Sequence, residues 1–183
     1  MHFIAQNKIL IAKPFLQDAF FRRAVILLAE HNQNGTIGFM VNRPVNAMLG
    51  DLLTNFKGAD FPVYLGGPVS QDQLFFIHSY GSEISGSISI GDGYFWNGDY
   101  DDLSNLISKG SINKNRIKFF IGYSGWADGQ LLDEMQGDSW IVSTPEYKNL
   151  LQNGKSEIWG NELKRLGSNY HHLSFFPSDP WLN

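Results

Sequence analysis

The most constraining stretch of this chain is an uninterrupted apolar run, Ala24-Val25-Ile26-Leu27-Leu28-Ala29, entered from Arg23. It breaks at Glu30-His31-Asn32-Gln33-Asn34-Gly35 and resumes as Thr36-Ile37-Gly38-Phe39-Met40-Val41. The first run is far short of the roughly 20 residues that cross a bilayer, and its apolar continuity fits a strand buried on both faces. Two such runs flanking Asn34-Gly35 predict a β-hairpin, because that dipeptide accepts the positive φ of a tight turn. A hairpin this early prevents a purely parallel sheet.

Further strands are expected at Pro62–Leu65, Leu74–Ser79, Ile84–Ile90, Arg116–Tyr123 and Ser139–Ser143. A helix is expected where Asp99, Asp101 and Asp102 lead into Leu103, Leu106 and Ile107 and end at Lys109-Gly110. Acids at its start, a cation at its end and a glycine beyond match the helix dipole and a C′ glycine. Thr144-Pro145-Glu146 reads as an N-cap with proline at the first helical position. Trp159, Leu163 and Leu166 share one helical face within Ser156–Leu166, and shorter helices are expected at Ala47–Phe56 and Gln130–Met135. Strands interleaved with helices, and no linker or repeat, give a single domain over residues 1–183 with a mixed sheet, α+β or α/β.

Composition narrows the functional classes. Zero cysteine excludes disulfides, thiol nucleophiles and cysteine metal sites. The formal charge of −4 argues against a broad grip on nucleic acid or anionic lipid. The charge is uneven: residues 1–49 carry five bases and two acids, and residues 50–110 two bases and eight acids. The opening residues show no secretory leader, so a cytoplasmic protein without membrane association is expected.

Several segments carry possible chemistry. Gly122-Tyr123-Ser124-Gly125-Trp126 lacks the final glycine of a hydrolase nucleophile elbow, and Gly154-Lys155-Ser156 lacks the first glycine of a phosphate loop, where Asn149 stands. Both read as turns. His31 and His78 can titrate near neutrality, but no histidine pair has zinc-protease spacing, so no metal or cofactor is expected. Asn42-Arg43-Pro44 offers a guanidinium able to clamp a carboxylate or phosphate, the alternative being an ion pair with an acid of the middle segment. Gly66-Gly67-Pro68 lets the backbone approach a ligand or another strand closely. Gly125-Trp126 with Gly129, Gln130 and Glu134 supplies a ring, an amide and a carboxylate at a helix mouth. Otherwise Trp126 packs into the core and Gln130 and Glu134 share an exposed helix face.

Three segments together resemble one bacterial family, the YqgE/AlgH family: FFRRAVILLAEHNQNGTIGFMVNRP at 20–44, PVYLGGPV at 62–69 and GYSGWADGQLLDE at 122–134. The likeness runs from ILIAKPFLQD through Trp159 to PSDPWLN. It implies a single α+β domain with a bifurcated mixed sheet, a small barrel-like part and surrounding helices. Members are described as transcriptional regulators, a label tied to alginate control in one lineage, and their biochemical activity is not established. The family's E-H-N falls on Glu30, His31 and Asn32, its N-R-P on Asn42, Arg43 and Pro44, and its G-G-P on Gly66, Gly67 and Pro68. Its G-W-x-x-G-Q-L falls on Gly125, Trp126, Gly129, Gln130 and Leu131, with Glu134 following in register. Ala24, Ala127-Asp128 and Leu132 depart from the pattern, and the last removes a second carboxylate beside Glu134.

The expectation is therefore a non-enzymatic regulatory domain binding a protein or a small acidic ligand through His31, Asn32, Asn42, Arg43, Gly66, Gly67, Trp126, Gln130 and Glu134. Its alternatives are an enzyme using His31, Arg43 and Glu134, and direct DNA binding, which the charge disfavours. An oligomeric state is not implied.

Overall fold

The computed structural model describes residues 3–16, 18–154 and 157–176. Ile9–Ala12, where no strand was expected, forms β1, and the two apolar runs become β2 (Val25–Asn32) and β3 (Gly35–Met40). β4 (Pro44–Met48), α1 (Leu49–Leu52), β5 (Pro62–Leu65) and β6 (Val69–His78) follow. Next come β7 (Ile88–Gly91), β8 (Tyr94–Trp96), α2 (Tyr100–Ser108) and β9 (Ile117–Trp126). The remainder is α3 (Gln130–Gln136), β10 (Trp140–Ser143), α4 (Tyr147–Leu150), α5 (Ile158–Arg165) and α6 (Ser168–His171).

All ten strands among the described residues belong to one branched sheet. Its main path is β10-β1-β2-β3-β9-β6-β8-β7, with β4 and β5 leaving it at β9. The branch lies along one edge of β9. Val63, Tyr64 and Leu65 of β5 pair in parallel with Phe119, Phe120 and Ile121, and Thr36, Ile37 and Gly38 of β3 pair antiparallel with Trp126, Gly125 and Ser124. β6 runs antiparallel along the other edge. The sheet is thus mixed and bifurcated, as the family resemblance implies. Its path is open at β10 and β7, so the small barrel-like part does not close.

Strand alternation divides the apolar side chains among three clusters. Val25, Leu27 and Ala29 join Phe39, Phe120, Trp159 and Leu163 on one face of β2. Ala24, Ile26 and Leu28 join Met40, Trp126, Leu131 and Trp140 on the other. Residues 24–29 are all fully buried, as a run without polar alternation requires. Phe119 turns away from Phe120 into the third cluster with Phe76 and Leu103. Each such large side chain contributes about 1.5–3 kcal/mol when removed from water.

Local expectations hold where local chemistry decides. Asp99 caps α2, accepting from the Asp101 and Asp102 amides, an arrangement worth about 1 kcal/mol. Elsewhere the elements shift. The hairpin turn is Gln33-Asn34, one residue earlier than expected, because Asn32 pairs with Gly35. The Asn32 carboxamide accepts from the Asn34 amide inside it. The strand expected over Ile84–Ile90 begins only at Ile88, since Gly86 takes φ +67°. The helix expected over Ala47–Phe56 divides into α1 and a 3-10 turn at Thr54–Phe56. Thr144 is not a cap: α4 starts at Tyr147 after Glu146, without a side-chain cap. Of the Gly154-Lys155-Ser156 turn, Lys155 and Ser156 lie outside the described residues, as do His2 and the closing PSDPWLN. No described helix is long and apolar enough to cross a membrane.

Candidate functional site

The Asn42-Arg43 pair secures the loop that enters β2. The Asn42 carboxamide accepts from the Val25 amide at 2.9 Å and donates to the Arg23 carbonyl at 2.8 Å. Arg43 donates to the carbonyls of Phe20 (3.3 Å) and Arg22 (3.0 Å). The ion pair with a middle-segment acid does not form: Nη2 of this guanidinium meets main-chain carbonyls instead. Both side chains therefore turn residues 20–25 back over the end of β3.

Gly66 and Gly67 face another strand. A Cβ on Gly66 would lie 2.2 Å from the Gly122 carbonyl oxygen, and one on Gly67 would lie 2.2 Å from the Ser124 amide nitrogen. The two glycines let β5 run into the branch point of β9, where Gly122 takes φ +66°. Ser124 is fully buried and donates to the Gly66 carbonyl at 3.0 Å, so its hydroxyl fastens the branch.

Glu134 is a receptor for indoles. One carboxylate oxygen accepts from Trp126 Nε1 at 3.0 Å and from Trp140 Nε1 at 2.8 Å. The other accepts from Gln130 Nε2 at 3.3 Å, and Gln130 Oε1 accepts from the Ala127 amide. Trp126 packs into the core with Phe21 and Trp140. Gln130 and Glu134 do share a helix face, and Glu134 turns inward from it to meet the rings. At the other end of the hairpin, His31 Nδ1 bonds the Thr36 hydroxyl at 2.7 Å on an exposed strand end. Glu30, Asn32, Gly125 and Trp126 border a shallow hollow of about 340 Å³ between β2–β3 and β9.

The candidate residues are thus distributed. Glu134 borders a second cavity of about 620 Å³ with Lys13, Asp138 and Trp140. Arg43 and Asn42 border a third of about 290 Å³, together with Arg22, Arg23, Glu157 and Trp159. This third cavity holds three arginines against one acid. The Arg23 guanidinium lies 4.7 Å from the centre of the Trp159 ring and also donates to the Phe176 carbonyl. Arg22 is half-buried and its side chain bonds no other described residue. Trp159 is itself anchored by its Nε1–H to the Ala12 carbonyl at 2.7 Å. α5 begins here after Glu157, so unsatisfied N–H groups of its first turn add positive potential. Arg22, Arg23 and Trp159 were not singled out as site residues in the sequence. The adjacent Arg22-Arg23 pair within the basic first 49 residues was the available signal.

Two titratable groups without any exposure, His78 and Lys118, complete the picture. His78 is fully buried and satisfied: Nδ1 accepts from the Tyr80 amide, and Nε2 meets the Asn97 carbonyl at 2.9 Å and the Ser87 hydroxyl at 3.1 Å. Burial holds its pKa below the ordinary value. Lys118 on β9 is likewise fully buried. A larger groove of about 810 Å³ lies between β6 and α2, bordered by Phe56, Gln73, Asn97, Tyr100 and Asp101, outside every candidate segment. No group of three or more metal-ligating side chains occurs among the described residues.

Comparison with known proteins adds a lineage to this geometry. A family described as AlgH-like matches residues 9–171. A UPF0301 protein of Parabacteroides distasonis is 41% identical over 180 residues, covering 97% of this chain and 91% of the relative. One from Chlorobium limicola is 39% identical over 177 residues, covering 97% and 95%. The solution structure of the AlgH protein from Pseudomonas aeruginosa superposes with a TM-score of 0.74 at 27% identity, covering 94% of each chain. A crystal structure of a Corynebacterium diphtheriae protein gives 0.76 at 20% identity, covering 95% and 93%, and shares the fold alone.

Proposed function

This chain belongs to the AlgH-like family, and we propose that it works within that fold as a non-enzymatic regulatory domain that binds a small acidic ligand in the arginine pocket. The observation that carries this reading is the set of Arg22, Arg23 and Arg43 around one cavity of about 290 Å³ at the start of α5. Guanidinium groups pair with carboxylate or phosphate in bidentate fashion, and a helix N-terminus favours the same charge. Asn42 and Trp159 supply an amide and a ring beside them. The acid–base alternative has less support. Glu134 and Arg43 border different cavities, and His31 borders neither. Direct DNA binding has the formal charge of −4 against it.

The test is a thermal-shift panel of succinate, phosphate and sulfate against neutral analogues. An anion at about 100 times its Kd stabilises the folded state by about 2.7 kcal/mol, which raises Tm by roughly 5–10 °C in a chain of this size. Arg22→Gln is expected to abolish the shift while leaving the unliganded Tm unchanged, because its side chain bonds no other described residue. Arg43→Ala is expected to abolish it too, with a lowered starting Tm from the two lost carbonyl bonds. A panel without any shift, or a full shift in Arg22→Gln, refutes the reading.

A further inference from the structure

Lys118 occupies the middle of β9 with no exposure to solvent and no carboxylate within ion-pair distance among the described residues. Its Nζ donates instead to the carbonyls of Val41 (2.9 Å), Leu150 (2.7 Å) and Gln152 (3.4 Å), and lies 4.0 Å from the centre of the Tyr64 ring. Three acceptors and a π face match an ammonium with three N–H groups; a neutral amine has only two to give. The carbonyls belong to two segments that both lead to the arginine pocket. Val41 immediately precedes Asn42 and Arg43. Leu150 and Leu151 share a packed cluster with Ile158 and Trp159.

We propose that Lys118 is a positioning residue for the arginine pocket: its ammonium holds the two walls in register, and anion binding there depends on the proton it carries. The inference rests on the anion-binding reading above. The titratable side chain that meets Nζ is Tyr64 of β5, whose hydroxyl accepts from the Gly154 amide. β6 presents apolar Ile77 across the ladder, and the end of β3 and the loop after α4 present carbonyls. Glu146 before α4 and Lys148 within it are exposed to solvent. Burial lowers the Lys118 pKa to about 7, so the proton is exchanged close to neutrality. Losing it leaves one carbonyl without a donor and loosens a wall of the pocket. By linkage, a bound anion favours the protonated form in return.

The test measures sulfate affinity, since sulfate is fully ionised throughout, by calorimetry from pH 6 to pH 8.5. Amide hydrogen exchange of residues 42–43 and 157–160 is followed without ligand over the same range. Wild-type affinity is expected to fall at least about fivefold as pH rises. Exchange protection, corrected for intrinsic base catalysis, falls with it. Lys118→Met should bind weakly with a flat profile, and Lys118→Arg, charged throughout, should bind with a flat profile. A double variant, His171→Gln with His172→Gln, should keep the wild-type slope, which separates Lys118 from the exposed histidines at the end of α6. If Lys118→Met does not fold, Lys118→Arg decides: a wild-type slope in that variant overturns the proposal. Sulfate binding to none of the proteins defeats the anion reading alone, and exchange protection then decides on Lys118. Equal protection profiles in wild type and Lys118→Arg would refute it.

Discussion

Removing the Glu134 carboxylate tests whether the third signature is a structural clasp. Trp126 and Trp140 are 5% and 2% exposed, and both direct Nε1–H at the same oxygen of Glu134. A hydrogen bond to a charged group contributes about 1.5–3 kcal/mol, and a buried donor left unpaired loses its share in full. Glu134→Ala deletes two such bonds, so the expected loss is about 3–5 kcal/mol. In a chain of this length that lowers Tm by roughly 10 °C. Glu134→Gln keeps an amide oxygen for the indoles but sets an NH2 against Gln130 Nε2, so about 1–2 kcal/mol is expected. Equilibrium urea denaturation at pH 7, followed by tryptophan fluorescence, measures both. An alanine variant within 1 kcal/mol of wild type, or glutamine and alanine variants of equal stability, refutes the clasp.

Gly67→Ala places a Cβ 2.2 Å from β9 backbone atoms, which cannot withdraw without opening the branch. A loss of about 4 kcal/mol or more is expected, read as poor solubility or early melting in circular dichroism. His78 gives stability a defined pH dependence. Its folded pKa lies below the unfolded value of 6.5, so the unfolded chain takes the proton first. Stability from this group is complete above pH 6.5 and falls as pH drops below it, by at most about 1.4 kcal/mol per unit. Urea midpoints between pH 7.5 and pH 5 should show this slope in wild type and a shallower one in His78→Gln.

The elements legible in the sequence are those whose signal is local. Pro62–Leu65, the helix led by Asp99, Asp101 and Asp102 and the burial of residues 24–29 follow from composition within a few residues. β1, β4 and β8 escape because they are short and held in place by partners distant in sequence. Ile9 pairs with Ser143, Pro44 with Tyr64, and Phe95 with His78. The same distinction governs the site. Asn42, Arg43, Gly66, Gly67 and Glu134 were visible as unusual residues, yet what each one touches depends on tertiary approach. The carbonyls facing Arg43 come from a loop 21 and 23 residues earlier, and the surface facing Gly67 comes from a strand 57 residues later. Lys118 gave no signal at all, since nothing in Ile117-Lys118-Phe119 tells that three carbonyls await its ammonium.

The branch at β9 has a consequence for biosynthesis. β9 is the common neighbour of β3, β5 and β6, yet it is the ninth strand to be made. A nascent chain that has released only residues up to 116 holds the β2–β3 hairpin, the β4–β5 pair and the β6–β8 unit, with no strand to join them. Three apolar edges must wait for one segment, and pairings across such separations are slow to close. Until that segment emerges, those edges are exposed to aggregation. Truncations ending before Ile117 should therefore appear in inclusion bodies, whatever the stability of the finished protein.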